Sequence, residues 1–252
     1  MKNDILICNR LIKEPTLSKF ITHAHDKWEF IFVTKGNPIC MTEGRRYSIN
    51  EKTLMVFKPA QIHRVQEFGV QPYEYFSLMC DEFVLSPQVI DIFSNSTGFF
   101  TFNNPEAIYQ KFLEISRQNE NADQPSSIKT RRSLVEELLH SVLEDMNVMA
   151  VPVLYSEDPV VSAAISYIDA NVQEVTRVAQ ICDVLGITKQ KLYSRFIQSM
   201  LISPMKYVRA KRVALAKAAA SEKKQAELLN RYGFADKVGF DQEYEYYYKS
   251  IP

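Results

Sequence analysis

The residues best suited to chemistry lie in the first quarter of the chain. His23 and His25 are separated by one residue, Glu29 follows four positions later, and His63 lies further along, so this segment holds three of the chain's four histidines. Imidazole nitrogens and a carboxylate oxygen are ligands that divalent transition metals accept, and together they would leave the coordination sphere open. The same side chains could also anchor a bound molecule in an apolar pocket, or serve only the structure.

The spacing of these residues resembles the two sequence motifs of the cupin barrel. Gly36 follows Glu29 in the first motif, and the second motif ends at His63 but has Gln61 where a glycine is usual. In metal-binding cupins, the four side chains of this pattern converge on one divalent ion. The sequence leaves three alternatives open, which are an effector pocket, a metal site and a structural role. We predict the pocket and no cofactor, with the lining His23, His25, Trp28, Glu29 and His63.

The surrounding segment has the pattern of antiparallel β-structure. Between about residues 28 and 80, short apolar runs such as EFIFV and TLMVF are separated by turn residues, including Gly36-Asn37-Pro38 and Glu43-Gly44. Strands with such tight spacing predict an antiparallel meander, and a small barrel is the natural way to close it. Four aromatic residues alternate with polar neighbours, so they either line a pocket or fill an ordinary core: Trp28, Phe30, Phe32 and Phe57.

Beyond residue 104 the apolar residues recur with a helical period. Ile108, Phe112 and Ile115 indicate one helix, and a second runs from about residue 128 to 149. The second helix has a broad apolar stripe, formed by Leu134, Leu138, Leu139, Val142 and Leu143. Such a stripe packs either on the chain's own sheet or on a second copy of the helix, and we predict a homodimer.

The chain then divides into two parts with different charge. The segment from Met149 to Pro159 loses periodicity, and Asp158-Pro159 is typical of a helix start. We therefore predict a domain at 1–150, a linker at 151–158 and an all-helical domain at 159–252. Whole-chain net charge is zero, yet residues 177–224 contain 11 Lys and Arg against 2 Asp and Glu. A block this basic either faces a polyanion or forms a solvated helix face.

A helix-turn-helix pattern lies inside the basic block. Val178, Ala179, Cys182 and Leu185 would share one helical face, Gly186 would supply a turn, and Thr188 would cap a second helix that Leu192 and Phe196 bury. Together with the residues that follow, the order resembles the AraC/XylS family of transcription regulators over roughly residues 160–252. The landmarks are Ala179, Gly186, Leu192, Phe196, Ser203-Pro204, Tyr207, Arg212, Ala216, Gly233-Phe234, Phe240, Tyr244 and Pro252.

This resemblance implies two helix-turn-helix units joined by a long helix, each placing one recognition helix in the major groove. Sensor domains of the family often keep a His-x-His and Glu pattern without metal. With Leu192 and Phe196 facing inward, Gln190 and Ser194 point away from the core and Tyr193 lies at the flank, so these three would read bases. Phosphate contacts are predicted for Lys189, Lys191, Arg195, Lys206, Arg209 and Lys211. The family position of Arg212 suggests a structural role.

The second unit departs from the family pattern. Its predicted recognition helix carries carboxylates where the family usually presents polar or basic residues, namely Asp236, Asp241, Glu243 and Glu245. Gln242 is its candidate base contact, Leu229 replaces a usual alanine, and the chain closes with Lys249-Ser250-Ile251-Pro252 instead of Gly-x-Ser-Pro. Carboxylates near phosphates cost binding energy. We therefore expect the first unit and the linking helix to supply most DNA affinity.

Other classes of protein have little support in the sequence. We find no phosphate loop, no Ser-His-Asp order and no Rossmann glycine pattern, so we expect no enzyme. The four cysteines form no C-x-x-C pair, and no apolar run is long enough to span a bilayer, which predicts a cytoplasmic location away from membranes. We therefore predict an α+β transcription regulator with a cupin-like sensor domain and a double helix-turn-helix domain. Its expected partners are double-stranded DNA, a small-molecule effector, RNA polymerase and a second copy.

Two alternatives from other classes remain. One is a regulator that acts mainly through protein contacts and binds DNA weakly, as the acidic last helix would favour. The other is a metal-dependent cupin enzyme with an appended DNA-binding domain, for which His23, His25, Glu29 and His63 would be the metal ligands. Metal content and DNA affinity discriminate among these three accounts.

Overall fold

The computed structural model of this protein shows an α+β chain in which strands come first and most helices last. It describes residues 7–13, 22–66, 73–96, 98–118, 125–148, 153–155, 158–219 and 225–248. The larger sheet is antiparallel, in the order β1 (Ile7–Lys13), β7 (Tyr73–Cys80), β2 (Trp28–Lys35), β5 (Leu54–Phe57), β8 (Phe99–Phe102) and β9 (Met146–Val148). The smaller sheet is also antiparallel, in the order β10 (Val153–Tyr155), β4 (Arg45–Ser48), β3 (Ile39–Thr42) and β6 (His63–Gln66).

The strands form two sheets instead of the closed barrel expected from the sequence. Among the described residues, no ladder joins an edge of the larger sheet to an edge of the smaller one. Side chains of both sheets meet in a core between them, including Ile31 and Val33 of β2 and Cys40 of β3. Alternation of apolar and polar residues indicates only that one face of each strand is buried, and two stacked sheets satisfy it as well as a barrel does. The antiparallel prediction is confirmed and the barrel is corrected.

Three helices cover the outer face of the larger sheet: α1 (Pro87–Ser94), α2 (Pro105–Gln118) and α3 (Pro125–Asp145). Phe32 of β2 stacks on Phe112 of α2 with 5.5 Å between ring centroids. Leu138 and Val142 of α3 are buried in the same core. The apolar stripe of α3 therefore packs on the chain's own sheet, and it is not available as the dimer interface that the sequence had left open.

Residues 159–248 are named the helical region here, and its helices are α4 (Pro159–Ala170), α5 (Val178–Leu185), α6 (Lys189–Met200), α7 (Pro204–Ala219), α8 (Gln225–Arg231) and α9 (Lys237–Tyr248). The predicted helix start is confirmed, because Asp158 accepts hydrogen bonds from the backbone N–H groups of Val160 and Val161. Gly186 ends α5 with φ of 63°, and Thr188 caps α6 as expected. No helix in the described ranges combines the length and apolarity needed to cross a bilayer.

The helical region shares a hydrophobic core with the N-terminal half. Ala24, Ala60 and Ile62 are buried in one apolar cluster with side chains of the helical region such as Phe196. The predicted linker, residues 151–158, contributes strand β10, which pairs with β4. The two halves are consequently packed against each other, and part of the segment predicted as a linker lies in the smaller sheet.

Candidate functional site

Four side chains predicted from spacing are brought together, and the group of His23, His25, Glu29 and His63 is called the histidine cluster below. Each offers one ligand atom, and all four atoms lie within 4.8 Å of one another. His23 is joined to His63 by two backbone hydrogen bonds of 3.1 and 2.9 Å, which set the segment carrying His23 and His25 against β6. Glu29 reaches the group from β2 of the larger sheet. The cluster thus lies where the two sheets face each other.

Two imidazoles of the cluster are held at both ring nitrogens. Nδ1 of His25 lies 2.8 Å from the carbonyl oxygen of Lys27, and Nδ1 of His63 lies 3.0 Å from that of Gln61. Their Nε2 atoms lie 2.9 and 3.0 Å from the same oxygen, Oε2 of Glu29. A carbonyl oxygen only accepts hydrogen bonds, so each Nδ1 must donate its proton. In a neutral imidazole this leaves a lone pair on Nε2, directed at the carboxylate.

The carboxylate of Glu29 is favoured in its ionised form. Burial by itself would raise the pKa of Glu29, but the hydrogen bonds to His25 and His63 outweigh burial and hold the pKa well below its usual value. Its other oxygen, Oε1, accepts a hydrogen bond of 2.6 Å from the Ser77 hydroxyl. Nε2 of His25 and Nε2 of His63 therefore both lie within 3.0 Å of one ionised carboxylate oxygen of Glu29.

The cluster fits a small cation better than an organic molecule. His25, Glu29 and His63 are 2%, 5% and 1% exposed, and the ring of Phe57 stacks on His63 at 4.0 Å between centroids. Three imidazoles and a carboxylate are a donor set that divalent first-row transition metals accept. The 4.8 Å spread of ligand atoms is close to twice a metal–ligand bond of about 2.1 Å. The residues present therefore fit a divalent transition-metal ion.

Trp28, which the sequence placed in the same pocket, lies on the other face of the larger sheet. Successive residues of a strand point to opposite faces, so Trp28, Phe30 and Phe32 share the core under α1 to α3. Glu29 points the other way, toward the smaller sheet. The structure thus separates Trp28 from the histidine cluster, and the aromatic alternation is explained by core packing.

A cavity of about 400 Å³ opens elsewhere, between α1 and α3. Its apolar side is lined by Val89, Leu139 and Leu143, and Glu136 and His140 lie at its polar side. His140 is the histidine that the sequence pattern had left aside. This cavity is a second place in the N-terminal half where a ligand could bind, and none of the predicted pocket residues lines it.

The outward face of α6 carries the residues predicted to read bases. Leu192 and Phe196 are fully buried, whereas Gln190, Tyr193 and Ser194 are exposed. Lys189 and Lys191 are exposed on the same helix. The helix thus has the division into a buried and a polar face that the spacing predicted, and its exposed surface is basic.

The other four cations predicted to contact phosphates each have an interaction within the chain. Arg195 forms an ion pair of 3.0 Å with Asp158, and Lys211 pairs with Asp169 of α4. Arg209 pairs with Glu243 of α9 at 2.5 Å. Lys206 donates a hydrogen bond of 3.4 Å to the hydroxyl of Tyr246. Because these four cations have partners within the chain, Lys189 and Lys191 are the more accessible of the cations predicted to contact phosphates.

Arg212 has the structural position that the family resemblance suggested. It is 4% exposed and donates hydrogen bonds to the carbonyl oxygens of Val172 at 2.7 Å and Gln173 at 2.8 Å. These bonds tie α7 to the segment between α4 and α5. Burial lowers the pKa of the Arg212 guanidinium, and the charge of Arg209 adds to that effect.

The exposed surface of α9 is acidic. Asp241, Gln242 and Glu245 are exposed, while Glu243 is half-buried against Arg209. Gln242, the candidate base contact of the second unit, therefore has carboxylates as its neighbours on the helix. The closing Lys249-Ser250-Ile251-Pro252, where the sequence departs from the family pattern, lies outside the described residues.

Two residues that the sequence did not single out contact the last turn of α6. The hydroxyl of Thr22 donates to the carbonyl oxygen of Met200 at 3.0 Å, and Nη2 of Arg46 donates to that of Gln198 at 2.8 Å. Carbonyl oxygens at a helix C-terminus lack partners within the helix, so these bonds satisfy them. The positive charge of Arg46 also interacts favourably with the negative end of the helix dipole. No local pattern could have revealed these contacts, because the partners are far apart in the chain.

Comparisons with known proteins agree with the sensor prediction. A family model described as an AraC-like ligand binding domain matches residues 10–143. No curated protein matches the chain. Among solved structures, ToxT from Vibrio cholerae has 10% identity over 98% of this chain and 96% of that chain, with a TM-score of 0.40. The AraC-like transcriptional activator CuxR has 17% identity over 81% and 72%, with a TM-score of 0.35.

Proposed function

Because the chain belongs to the family of AraC-like ligand binding domains, we propose that it is a transcription regulator that binds specific double-stranded DNA and responds to a ligand. In this proposal, residues 1–150 form the sensor domain and residues 159–252 form a DNA-binding domain with two helix-turn-helix units. RNA polymerase and a second copy of the chain are the proposed partners. The second copy would have to use a surface other than the apolar stripe of α3, which is buried.

One observation carries the DNA-binding proposal, and it is the exposed face of α6. Gln190 and Ser194 lie outward beside Lys189 and Lys191, on a helix whose opposite face is anchored by fully buried side chains. Lysines give affinity through phosphates without reading sequence, and a glutamine amide can bond adenine with two hydrogen bonds. The face therefore combines the two kinds of contact that a sequence-specific protein needs.

The test is the affinity of the full chain for a pool of promoter fragments, measured at several salt concentrations. We expect log K to fall with log salt at a slope of about −0.9 per phosphate contacted. The double variant Gln190→Ala and Ser194→Ala should lose sequence preference more than total affinity. Gln110→Ala, an exposed glutamine of α2 outside the helical region, is the matched control and should change neither. A folded chain that fails to bind at low salt contradicts the proposal.

A second function is favoured by the acidic surface of α9. The ion pair between Arg209 and Glu243 directs a cation of α7 toward α9 instead of solvent, which suits a regulator acting mainly through another protein. That alternative predicts unchanged promoter activity in the variants Lys189→Ala and Arg195→Ala, whereas the DNA-binding proposal predicts that both variants lose activity.

A further inference from the structure

The histidine cluster lies directly beneath the contact between the two halves of the chain. Successive side chains of the segment that carries His23 and His25 point in opposite directions. Ala24, between the two histidines, is buried in the core of the helical region. On the other side of the backbone pairing, Ile62 precedes His63 and is buried in that same core. Cluster ligands and core contacts therefore alternate along the same short stretches of backbone.

The same segment also bonds to the helix proposed to read DNA. Thr22 precedes His23, and its hydroxyl donates to the Met200 carbonyl in the last turn of α6. His25 is linked to the shared core as well, since its carbonyl oxygen accepts a hydrogen bond of 2.7 Å from the backbone N–H of Ala60. A shift of the cluster's backbone by a fraction of an ångström would thus move the groups that hold α6.

The arrangement of the ring nitrogens and of Glu29 suits a cation in the cluster. Both Nδ1 atoms donate to carbonyl oxygens, and both Nε2 atoms point at one oxygen of Glu29. Backbone carbonyls that fix imidazole tautomers in this way are typical partners of metal-binding histidines.

We propose that the histidine cluster binds a divalent first-row transition-metal ion and that this binding fixes α6 on the N-terminal half. The proposal rests on the regulatory function proposed above and names its ligand class. The bound ion would supply positive charge that neutralises Glu29 and holds the imidazoles. The chain's own residues do the rest, because Thr22, Ala24 and Ile62 transmit the position of the cluster to the helical region.

Metal binding is tested first, on the full chain, with Co²⁺ as the probe. Titration calorimetry and the visible spectrum should give one ion per chain. The double variant His25→Gln and His63→Gln should lose Co²⁺ affinity by more than about 100-fold, since removing a ligand costs at least what removing an outer partner does. His140→Gln is the matched control, because this histidine lies on α3 outside the cluster, with a side chain 71% exposed. Sub-stoichiometric binding, or an equal loss in the control, overturns the proposal.

Coupling is tested by amide hydrogen exchange with and without Co²⁺, in the absence of DNA. Exchange in the last turn of α6 should slow about tenfold or more when the ion binds, as expected when local opening becomes less favourable. Thr22→Val should remove that effect while retaining Co²⁺ affinity. Thr53→Val is its control, because the buried hydroxyl of Thr53 has no hydrogen-bond partner among the described residues. If the ion binds and exchange in α6 does not change, the coupling is wrong.

DNA affinity of the metal-free and Co²⁺-bound chain separates this inference from the function it rests on. Binding to DNA in both states with no metal effect on α6 would retain the regulator and reject the metal coupling. A metal effect on α6 in a chain that binds no DNA would reject the DNA-binding function and retain the coupling. The regulatory function and the metal coupling are both supported only if the chain binds DNA and Co²⁺ also slows hydrogen exchange in α6.

Discussion

The helices α6 and α9 hold corresponding positions in their proposed helix-turn-helix units, yet their exposed surfaces have opposite charge. On α6, Lys189 and Lys191 flank Gln190 and face solvent. On α9, Asp241 and Glu245 are the exposed neighbours of Gln242. A shared pattern of buried residues thus fixes the packing of both helices while leaving the charge of the outer face free to differ.

The linking helix α7 adds to this contrast. Its Arg209 pairs with Glu243 of α9, and its Lys206 bonds to Tyr246 of the same helix. Cations that the sequence assigned to phosphates are therefore turned toward side chains of the second unit. The difference teaches that a count of basic residues overstates the charge a helix offers to DNA when acidic residues of the same chain lie within reach.

The largest effect is expected in the cores of the two units. Phe196 is fully buried in the core shared with the N-terminal half, and Phe196→Ala should reduce the free energy of unfolding by roughly 3–5 kcal/mol. Phe240 packs edge-on against Phe234 with 5.2 Å between ring centroids. Phe240→Ala should reduce the free energy of unfolding by less, because α9 lies at the end of the helical region. Urea unfolding of both variants measures the difference. Equal losses would mean that the two units are equally central to stability.

The next effect concerns DNA affinity. The double variant Lys189→Glu and Lys191→Glu should weaken DNA binding on the order of 100-fold at 0.1 M salt and reduce the salt slope by about 2, because two phosphate contacts are lost. Lys237→Glu on α9 is the control and should leave the slope unchanged. A matching loss in the control would show that α9 contacts phosphates as closely as α6 does.

A smaller effect is expected for stability at Glu243. Burial raises the pKa of Glu243, and the charge of Arg209 only partly opposes this, so ionisation costs stability in the folded chain. Glu243→Gln should therefore be slightly more stable than the wild type at neutral pH, by less than about 1 kcal/mol. The difference should close as the pH falls through the raised pKa, since the wild-type carboxyl then takes up its proton. Urea unfolding at several pH values gives the comparison, and a variant less stable at neutral pH would contradict it.

The smallest effect is expected on the exposed face of α9. Asp241 pairs with Lys237 at a distance of 4.0 Å, and both side chains are well exposed. Asp241→Asn should change DNA affinity by less than about threefold, because an exposed pair of this kind contributes little and the helix is not the main DNA contact. A gain beyond that range would indicate that the carboxylate opposes phosphates in the complex, and the contrast between the helices would then be one of repulsion.

The sequence predicted those features that depend on local periodicity. The caps at Asp158 and Thr188, the turn at Gly186, and the burial of Leu192 and Phe196 all follow from helical spacing and capping preferences. The sequence also predicted that the residues of the histidine cluster lie close together, because their spacing resembles a known motif. These features need no knowledge of distant contacts.

Other features could not be predicted, for identifiable physical reasons. Strand alternation shows which residues share a face without showing which face is inner, so Trp28 was assigned to the side of the sheet that Glu29 occupies. The stripe of α3 was equally compatible with a sheet and a partner helix. The bonds from Thr22 and Arg46 to α6 join residues more than half the chain apart, and no local pattern encodes them.

The core shared by Ala24, Ala60, Ile62 and the helical region has a consequence for how this chain can change over evolutionary time. Recombination that replaced the helical region with that of another protein would leave these apolar side chains against a surface that did not evolve to fit them. Substitutions on either side of the contact are then retained in compensating pairs. The two halves are expected to diverge together as one inherited unit, and chimeras joined between residues 151 and 158 should fold poorly unless both faces come from the same parent.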